Sequence, residues 1–273
     1  MSRARARIGW TLAGLAVVVY TLFPLVWILM LSLKVDAVTP GFLPHDWTLG
    51  NYATVFDSGF FLSALRNSIG VSLIATLLSV ALATAAAYAV ARLRFIGKRL
   101  VLWTALVIVM FPTISLIPPL FDMWRVIGLY DTWAGLIIPY MSFTLPLSIW
   151  TLAAFFREIP WEMEQAAQVD GATPWQAFRR VIVPLASPGI FTATILTFFF
   201  AWNDFVFGIS LTASDAARPA PAALAFFTGE SFFEQPAAQI AAASIVVTIP
   251  VVVLVLLFQR RIVAGLTSGA VKG

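Results

Sequence analysis

Six long apolar runs, over residues 8–33, 67–91, 100–121, 133–156, 188–211 and 240–258, occupy most of this 273-residue chain. Each approaches the roughly 20 residues that a helix needs to cross about 30 Å of hydrocarbon at 1.5 Å per residue. Hydrophobic residues make up 60% of the chain and charged residues 11%, where a soluble domain carries about 25% charge. Water cannot solvate such a surface, so the solvent is lipid. In lipid the backbone must satisfy its own polar groups, which leaves helices as the spanning element for runs of this length. The expectation is an all-α integral membrane protein with six spans, preceded by a short N-terminus, 1–7, and followed by a tail, 262–273.

The N-terminus is basic and the first run follows it directly, as in a signal peptide. The run is too long for a signal core and has no small-residue cleavage site after it, so it reads as a retained span. The second run is rich in Ala, Ser and Thr, which let helices approach closely in lipid, and is expected inside the bundle. The third contains Pro112, Pro118 and Pro119, the fourth Pro139 and Pro146, and the sixth Pro250. Proline frees a backbone carbonyl that must find a partner in a neighbouring helix or a wet cavity. Such kinks fit a transport pathway, or they only shape the packing.

Lys and Arg beside the spans set the orientation. With the N-terminus inside, that side collects Arg3, Arg5, Arg7, Arg92, Arg94, Lys98, Arg99, Arg157, Arg179, Arg180, Arg260, Arg261 and Lys272. The other side keeps Lys34, Arg66, Arg125 and Arg218, with Asp36, Asp46, Asp57, Asp122, Asp131, Asp215, Glu230 and Glu234. Both termini are therefore expected in the cytoplasm. The net charge of +4 would suggest nucleic acid in a soluble protein, but here the cations flank spans, the pattern of membrane anchoring. There is no cysteine, which excludes disulfides, thiolate catalysis and cysteine metal sites. The single histidine, His45, lies in a Pro-rich polar stretch and has no second histidine with which to bind zinc.

The most informative segment is the inside loop 157–186, which contains REIPWEMEQAAQVDGATPWQAFRRVIVP. Pro160 suits the first turn of a helix, and Glu162 and Glu164 lie near that helix's positive end. Gly171 can supply the left-handed residue that ends it. Thr173 and Gln176 form a capping box around Pro174, opening a second helix over 174–182, with Pro184 after its end. The expected element is helix, glycine turn, helix. Ala166, Ala167 and Ala172 offer a close-approach surface, and Trp175 and Phe178 are exposed aromatics unless something covers them. Such an element is either a docking site or an amphipathic helix resting on headgroups.

This segment resembles the EAA motif of binding-protein-dependent ABC importer permeases: Glu-Ala-Ala, three residues, Gly, nine residues, then Ile-x-Leu-Pro. Ala166, Ala167 and Gly171 match in spacing, and Val181, Val183 and Pro184 stand at its downstream end. Gln165 occupies the glutamate position, and Glu164 lies one residue earlier, about 100° round a helix. The likeness extends over nearly the whole chain through DGATPWQAFRRVIVPL, AWNDF and the tail QRRIVAGLTSGAVKG. It is greatest to the smaller six-span permease of maltose-type carbohydrate importers. RNSIG, AYAVARLRF and the tail look like actinobacterial trehalose-importer permeases.

The resemblance implies a type I importer permease that forms half of a sugar pathway. Its partners would be a second permease in a heterodimer, two copies of a cytosolic ABC ATPase, an extracytoplasmic sugar-binding (lipo)protein, the sugar and membrane lipid, with no nucleic acid. The coupling helix docking to the ATPase would comprise Glu164, Gln165, Ala166, Ala167, Asp170, Gly171, Ala172, Thr173, Pro174, Trp175 and Phe178. The tail would be the family's C-terminal extension, which can insert between permease and ATPase, or else a disordered terminus. No cofactor would be bound by this chain, ATP and magnesium sitting on the partner subunits, and the chain would not be an enzyme. In agreement, no G-x-x-x-x-G-K-[ST] phosphate loop, nucleophile elbow or metal-binding helix is present in the sequence.

Trp202, Asn203 and Asp204 are the pathway candidates, since polar residues at membrane depth usually face a cavity or partner. Interfacial placement of Asp204 is the alternative. A stand-alone secondary transporter would need coupling-ion carboxylates and usually a repeat, and a membrane enzyme would need clustered catalytic groups. Neither is seen, and AWNDF with the tail favours sugar over other ABC cargoes.

Overall fold

The computed structural model describes residues 2–35, 41–227 and 236–268, with side chains described from Gly9 to Gln259. The side chains of Arg3, Arg5, Arg7, Arg260, Arg261 and Lys272, the residues Asp36, Glu230 and Glu234, and the end of the tail lie outside that description. Four helices are long and apolar enough to cross a membrane, and up to six spans result if each of two bent helix pairs is one span. Two compact units divide the chain: residues 1–62 with 224–250, and residues 63–223 with 251–273.

The first unit holds α1 (Ser2–Ser32) and α2 (Gly50–Asp57). The apolar window of α1 is nowhere buried, so its side chains are left for lipid or another chain. After α1 the chain turns back through a bridge between Lys34 and Trp47. Asn51 in α2 donates to the carbonyls of Ser32 and Lys34 at 3.0 and 2.9 Å, which occupies carbonyls that the end of α1 leaves open.

The second unit is built on α3 (Gly59–Arg92), α4 (Lys98–Met110), α5 (Ile117–Ile127), α6 (Trp133–Glu158) and α10 (Ser187–Trp202). In α3, Val71, Ala75, Ser79, Ala83, Ala87 and Val90 are buried, while Leu73, Leu77, Leu78 and Leu82 are exposed. Their spacing of three and four residues is one helix face, so the small residues meet neighbouring helices and the leucines meet lipid. Hydroxyl pairs join the helices: Ser79 with Thr144 and Ser148 with Thr197, each at 2.8 Å. Gly189 lets α10 approach α6, since a Cβ there would lie 2.4 Å from the Phe155 ring.

The prolines divide the third run and leave the fourth whole. α4 stops before Pro112, and α5 leaves at a 92° bend, with Pro118 and Pro119 in its first turn, where prolines are tolerated. α6 runs unbroken through Pro139 and Pro146.

The fifth run, read from sequence as a span over 188–211, is not one helix. α10 ends at Trp202, and α11 (Val206–Leu211) begins after a break at Asn203–Phe205. Asp204 supports the break: from the position before the N-cap Phe205 its carboxylate accepts the backbone N–H groups of Phe207 at 3.4 Å and Gly208 at 3.0 Å, which occupies free donors at the start of the new helix.

Two ends of this unit differ in charge. The guanidinium of Arg92 donates to the carbonyl of Ile159, bringing the ends of α3 and α6 together, and Arg94, Lys98, Arg99, Arg157, Arg179 and Arg180 gather around that end in the chain. At the opposite end Asn67 donates to the carbonyls of Asp215 and Arg218 and accepts from the indole of Trp133. Asp131 there accepts from the N–H groups of Ala213 and Ser214.

Candidate functional site

At the basic end lies the segment singled out in the sequence. α7 spans Trp161–Val169, with Pro160 as its capping residue rather than within its first turn. Gly171 ends it at φ +87°. Its N–H donates to the carbonyl of Gln168 and that of Ala172 to the carbonyl of Ala167, the paired bonds of a Schellman closure. Thr173 and Gln176 make both bonds of the capping box at 3.3 and 2.8 Å. α8 (Pro174–Ala177) opens with Pro174.

The second arm does not stop before Pro184. It passes into a π turn over Phe178–Ile182 and continues as α9 (Val183–Leu185), with the N–H of Val183 donating to the carbonyl of Phe178. Widening by one residue places Pro184, which has no N–H to give, at the start of a new helical turn. Helix 174–185 then meets α10 at 72°, so the arm is continuous with the fifth span.

The element has an inner and an outer face. Gln165, Ala166, Asp170, Gly171, Thr173, Pro174 and Trp175 are exposed, and Ala167 and Ala172 are half-buried. Trp175 is 65% exposed, and Trp161, Met163 and Val169 add further apolar surface. Two expected members point inward. Phe178 is only 7% exposed, because the Tyr88 and Trp175 rings lie over it at 4.5 and 5.2 Å. Glu164 is 5% exposed and accepts from the hydroxyl of Tyr88 at 2.5 Å. The rotation from Gln165 to Glu164 is thus the difference between the two faces. Arg92 lies over the Trp161 ring at 4.7 Å. Tyr88 and Arg92, both on α3, were not connected with this element from sequence, where Arg92 counted only as a charge that sets orientation: a tyrosine and an arginine near a span end carry no local signal for a distant loop.

A second feature is a cavity of about 240 Å³ between α4, α6, α10 and α11. Its polar walls are Thr113, Tyr140, Thr144 and Asp204, and its apolar walls include Phe143, Leu147 and Phe200. Tyr140 donates to Asp204 at 2.9 Å. Of the three pathway candidates only Asp204 lines this space. Trp202 is buried and stacks on Phe198 at 5.5 Å, and Asn203 is exposed and donates to the carbonyl of Phe199 at 2.9 Å. Tyr140 was missed because it lies within an apolar run and shows its polarity only opposite Asp204.

Residues 75–267 match the family described as binding-protein-dependent transport system inner membrane component. The chain is 59% identical over 272 residues to the trehalose transport system permease protein SugB of Mycobacterium tuberculosis, covering 99% of both. It is 39% identical over 266 residues to the sulfoquinovosyl glycerol transport system permease protein SmoH of Agrobacterium fabrum, covering 96% of this chain and 93% of that one. Its fold is similar to a chain in the crystal structure of a bacterial ABC transporter involved in alginate import, with a TM-score of 0.80 at 23% identity over 94% of this chain and 96% of that one.

Proposed function

The chain belongs to the family of binding-protein-dependent transport system inner membrane components, and from that premise we propose that its cargo is a disaccharide of the trehalose type. It is a membrane-embedded permease subunit of an ATP-binding-cassette sugar importer, a non-catalytic transport subunit that works with a partner permease, an ATPase and a substrate-binding protein. The observation that carries the choice of cargo is the 59% identity, end to end, to a trehalose permease. The relative at 39% takes a different glycoside by name, so the higher identity does the discriminating.

In this reading the protein sits in a bacterial inner membrane with both termini in the cytoplasm. The basic end of the second unit faces the cytoplasm, as the excess of Arg and Lys there favours. The partners are one different permease, two copies of the ATPase and an extracytoplasmic binding protein or lipoprotein. ATP and magnesium belong to the ATPases, and this chain holds no cofactor.

The exposed face of α7 and α8, from Gln165 to Trp175, seats in a cleft of the ATPase. Its small alanines allow close approach, and Trp175 is an aromatic anchor of the kind that dominates interfaces. Closure of the ATPases moves the element, and helix 174–185 passes the movement to α10. ATP thereby biases a two-state bundle, to which the sugar responds by differential affinity. The cavity beside Asp204 and Tyr140 is the part of this chain that borders the pathway.

The test is mild-detergent extraction of the tagged chain from its native membrane, with mass spectrometry of what accompanies it and uptake of labelled trehalose into vesicles. An ATPase, a second permease and an exported binding protein that retains trehalose are expected. A chain that emerges alone and moves solute without ATP would contradict the reading.

A further inference from the structure

We propose that Tyr88 and Glu164 form the joint through which the coupling element grips its own membrane bundle, so that they position the element for transport. The inference rests on the importer reading above and concerns how that element transmits force.

Tyr88 on α3 is in direct contact with both arms of the element. Its hydroxyl donates to Glu164 of α7 at 2.5 Å. Its ring lies 4.5 Å from that of Phe178 in the π turn and 6.1 Å from that of Phe156 in α6. One span thus holds the first arm by a hydrogen bond and the second by ring packing. At Gly171, between the arms, a Cβ would meet nothing within 4 Å. The element is therefore fastened from its inner face, and the outer face stays available.

The chemistry is that of a joint rather than of a plain core. Hydrophobic residues dominate the cluster around it, from Ala83 and Val90 to Phe156 and Ile182, and Glu164 is the carboxyl placed against them. Its Oε2 is buried without a hydrogen-bond partner, and so is the Nε of Arg92 nearby. The Arg92 guanidinium, bonded to Ile159 and lying over Trp161, holds the start of α7 on the same helix. A pull on α7 is thereby delivered to α3, and a pull on helix 174–185 is delivered to α10 and, through Phe178, to α3 as well.

The experiment uses the complete complex in vesicles, with the binding protein present, and reads sugar moved per ATP hydrolysed. Tyr88→Phe keeps the ring and removes the donor; Glu164→Leu removes the acceptor; Glu164→Gln keeps an acceptor oxygen. The expected result is a fall of about two- to tenfold in sugar per ATP for Tyr88→Phe and Glu164→Leu, the range that one hydrogen bond spans as an equilibrium ratio. Glu164→Gln should restore most of the coupling, and the double variant Tyr88→Phe/Glu164→Leu should be no worse than either single one, as for residues that share one interaction. If Glu164→Leu does not assemble, Tyr88→Phe decides. An unchanged ratio in Tyr88→Phe, additive losses in the double variant, or a Tyr88→Phe complex that fails to assemble would overturn the proposal, the last by assigning the pair to folding. Failure of the importer reading is recognised separately, because the unmutated complex would then show no ATP-dependent uptake.

Discussion

The indole of Trp124 donates to the carbonyl of Gly135 at 2.7 Å, and that carbonyl is the one Pro139 leaves without a helical partner four residues on. The residue before the turn, Gly128 at φ +76°, closes α5 and brings Trp124 back over α6. The helix that follows the 92° bend thus satisfies a backbone group inside its neighbour, which is how α6 passes through Pro139 without breaking. Trp124→Phe keeps the apolar bulk and removes the donor. Orphaning a buried carbonyl costs about 1–3 kcal/mol, so a lower unfolding temperature in detergent is expected. An unchanged transition would show that the carbonyl finds another partner.

Gly171 tests the turn of the coupling element. No neighbour would clash with a side chain there, but φ is +87°, and a left-handed conformation costs an L-residue about 1–2 kcal/mol. Gly171→Val should leave the complex in the membrane, with ATP hydrolysis running and sugar uptake reduced several-fold. Uptake kinetics identical to the parent would count against the assignment of this element to coupling.

Asp204 distinguishes a cap from a charge. Both carboxylate oxygens accept hydrogen bonds, from Phe207, Gly208 and Tyr140. Asp204→Asn keeps a cap acceptor, whereas Asp204→Ala removes it at about 1 kcal/mol. Transport that survives in Asn and falls in Ala identifies the carboxylate as the support of the break between α10 and α11. Equal loss in both would point to the negative charge itself.

Gly189 sets the spacing of α6 and α10. A valine there places Cβ 2.4 Å from the Phe155 ring, and overpacking of this kind costs about 1–3 kcal/mol. Gly189→Val should lower thermal stability in detergent, and Phe155→Ala in the same chain should recover part of it. Loss with no recovery would place the strain elsewhere.

Much of this was legible in the sequence because it is local. The Thr173–Gln176 box, the Gly171 closure and Pro174 at the first helical position are each fixed by residues within a turn of one another, and all three appear as read. The inward turn of Glu164 was not legible: Glu164 and Gln165 are both polar, so polarity does not say which faces the bundle. That depends on Tyr88, 76 positions earlier. Phe178 is buried for the same reason. The break at 203–205 was hidden by apolar residues on both sides, although an Asp followed by a short helix is a cap signal. The π turn over Phe178–Ile182 puts Pro184, which has no N–H, in the first turn of the helix that follows, and nothing in the local pattern announces it.

The central claim is that the outer face of α7 and α8 seats in a partner ATPase. The chain has no cysteine, so single cysteines can be read without background. Placed in turn at Gln165, Ala166, Asp170 and Trp175, which are exposed, and at Ala177, which is buried, they would be treated with a short thiol cross-linker in native membranes. Cross-links to the ATPase at the exposed positions, changing on ATP binding, and none at Ala177 are predicted. No cross-link at any of the exposed positions, in complexes that contain the ATPase, would contradict the account.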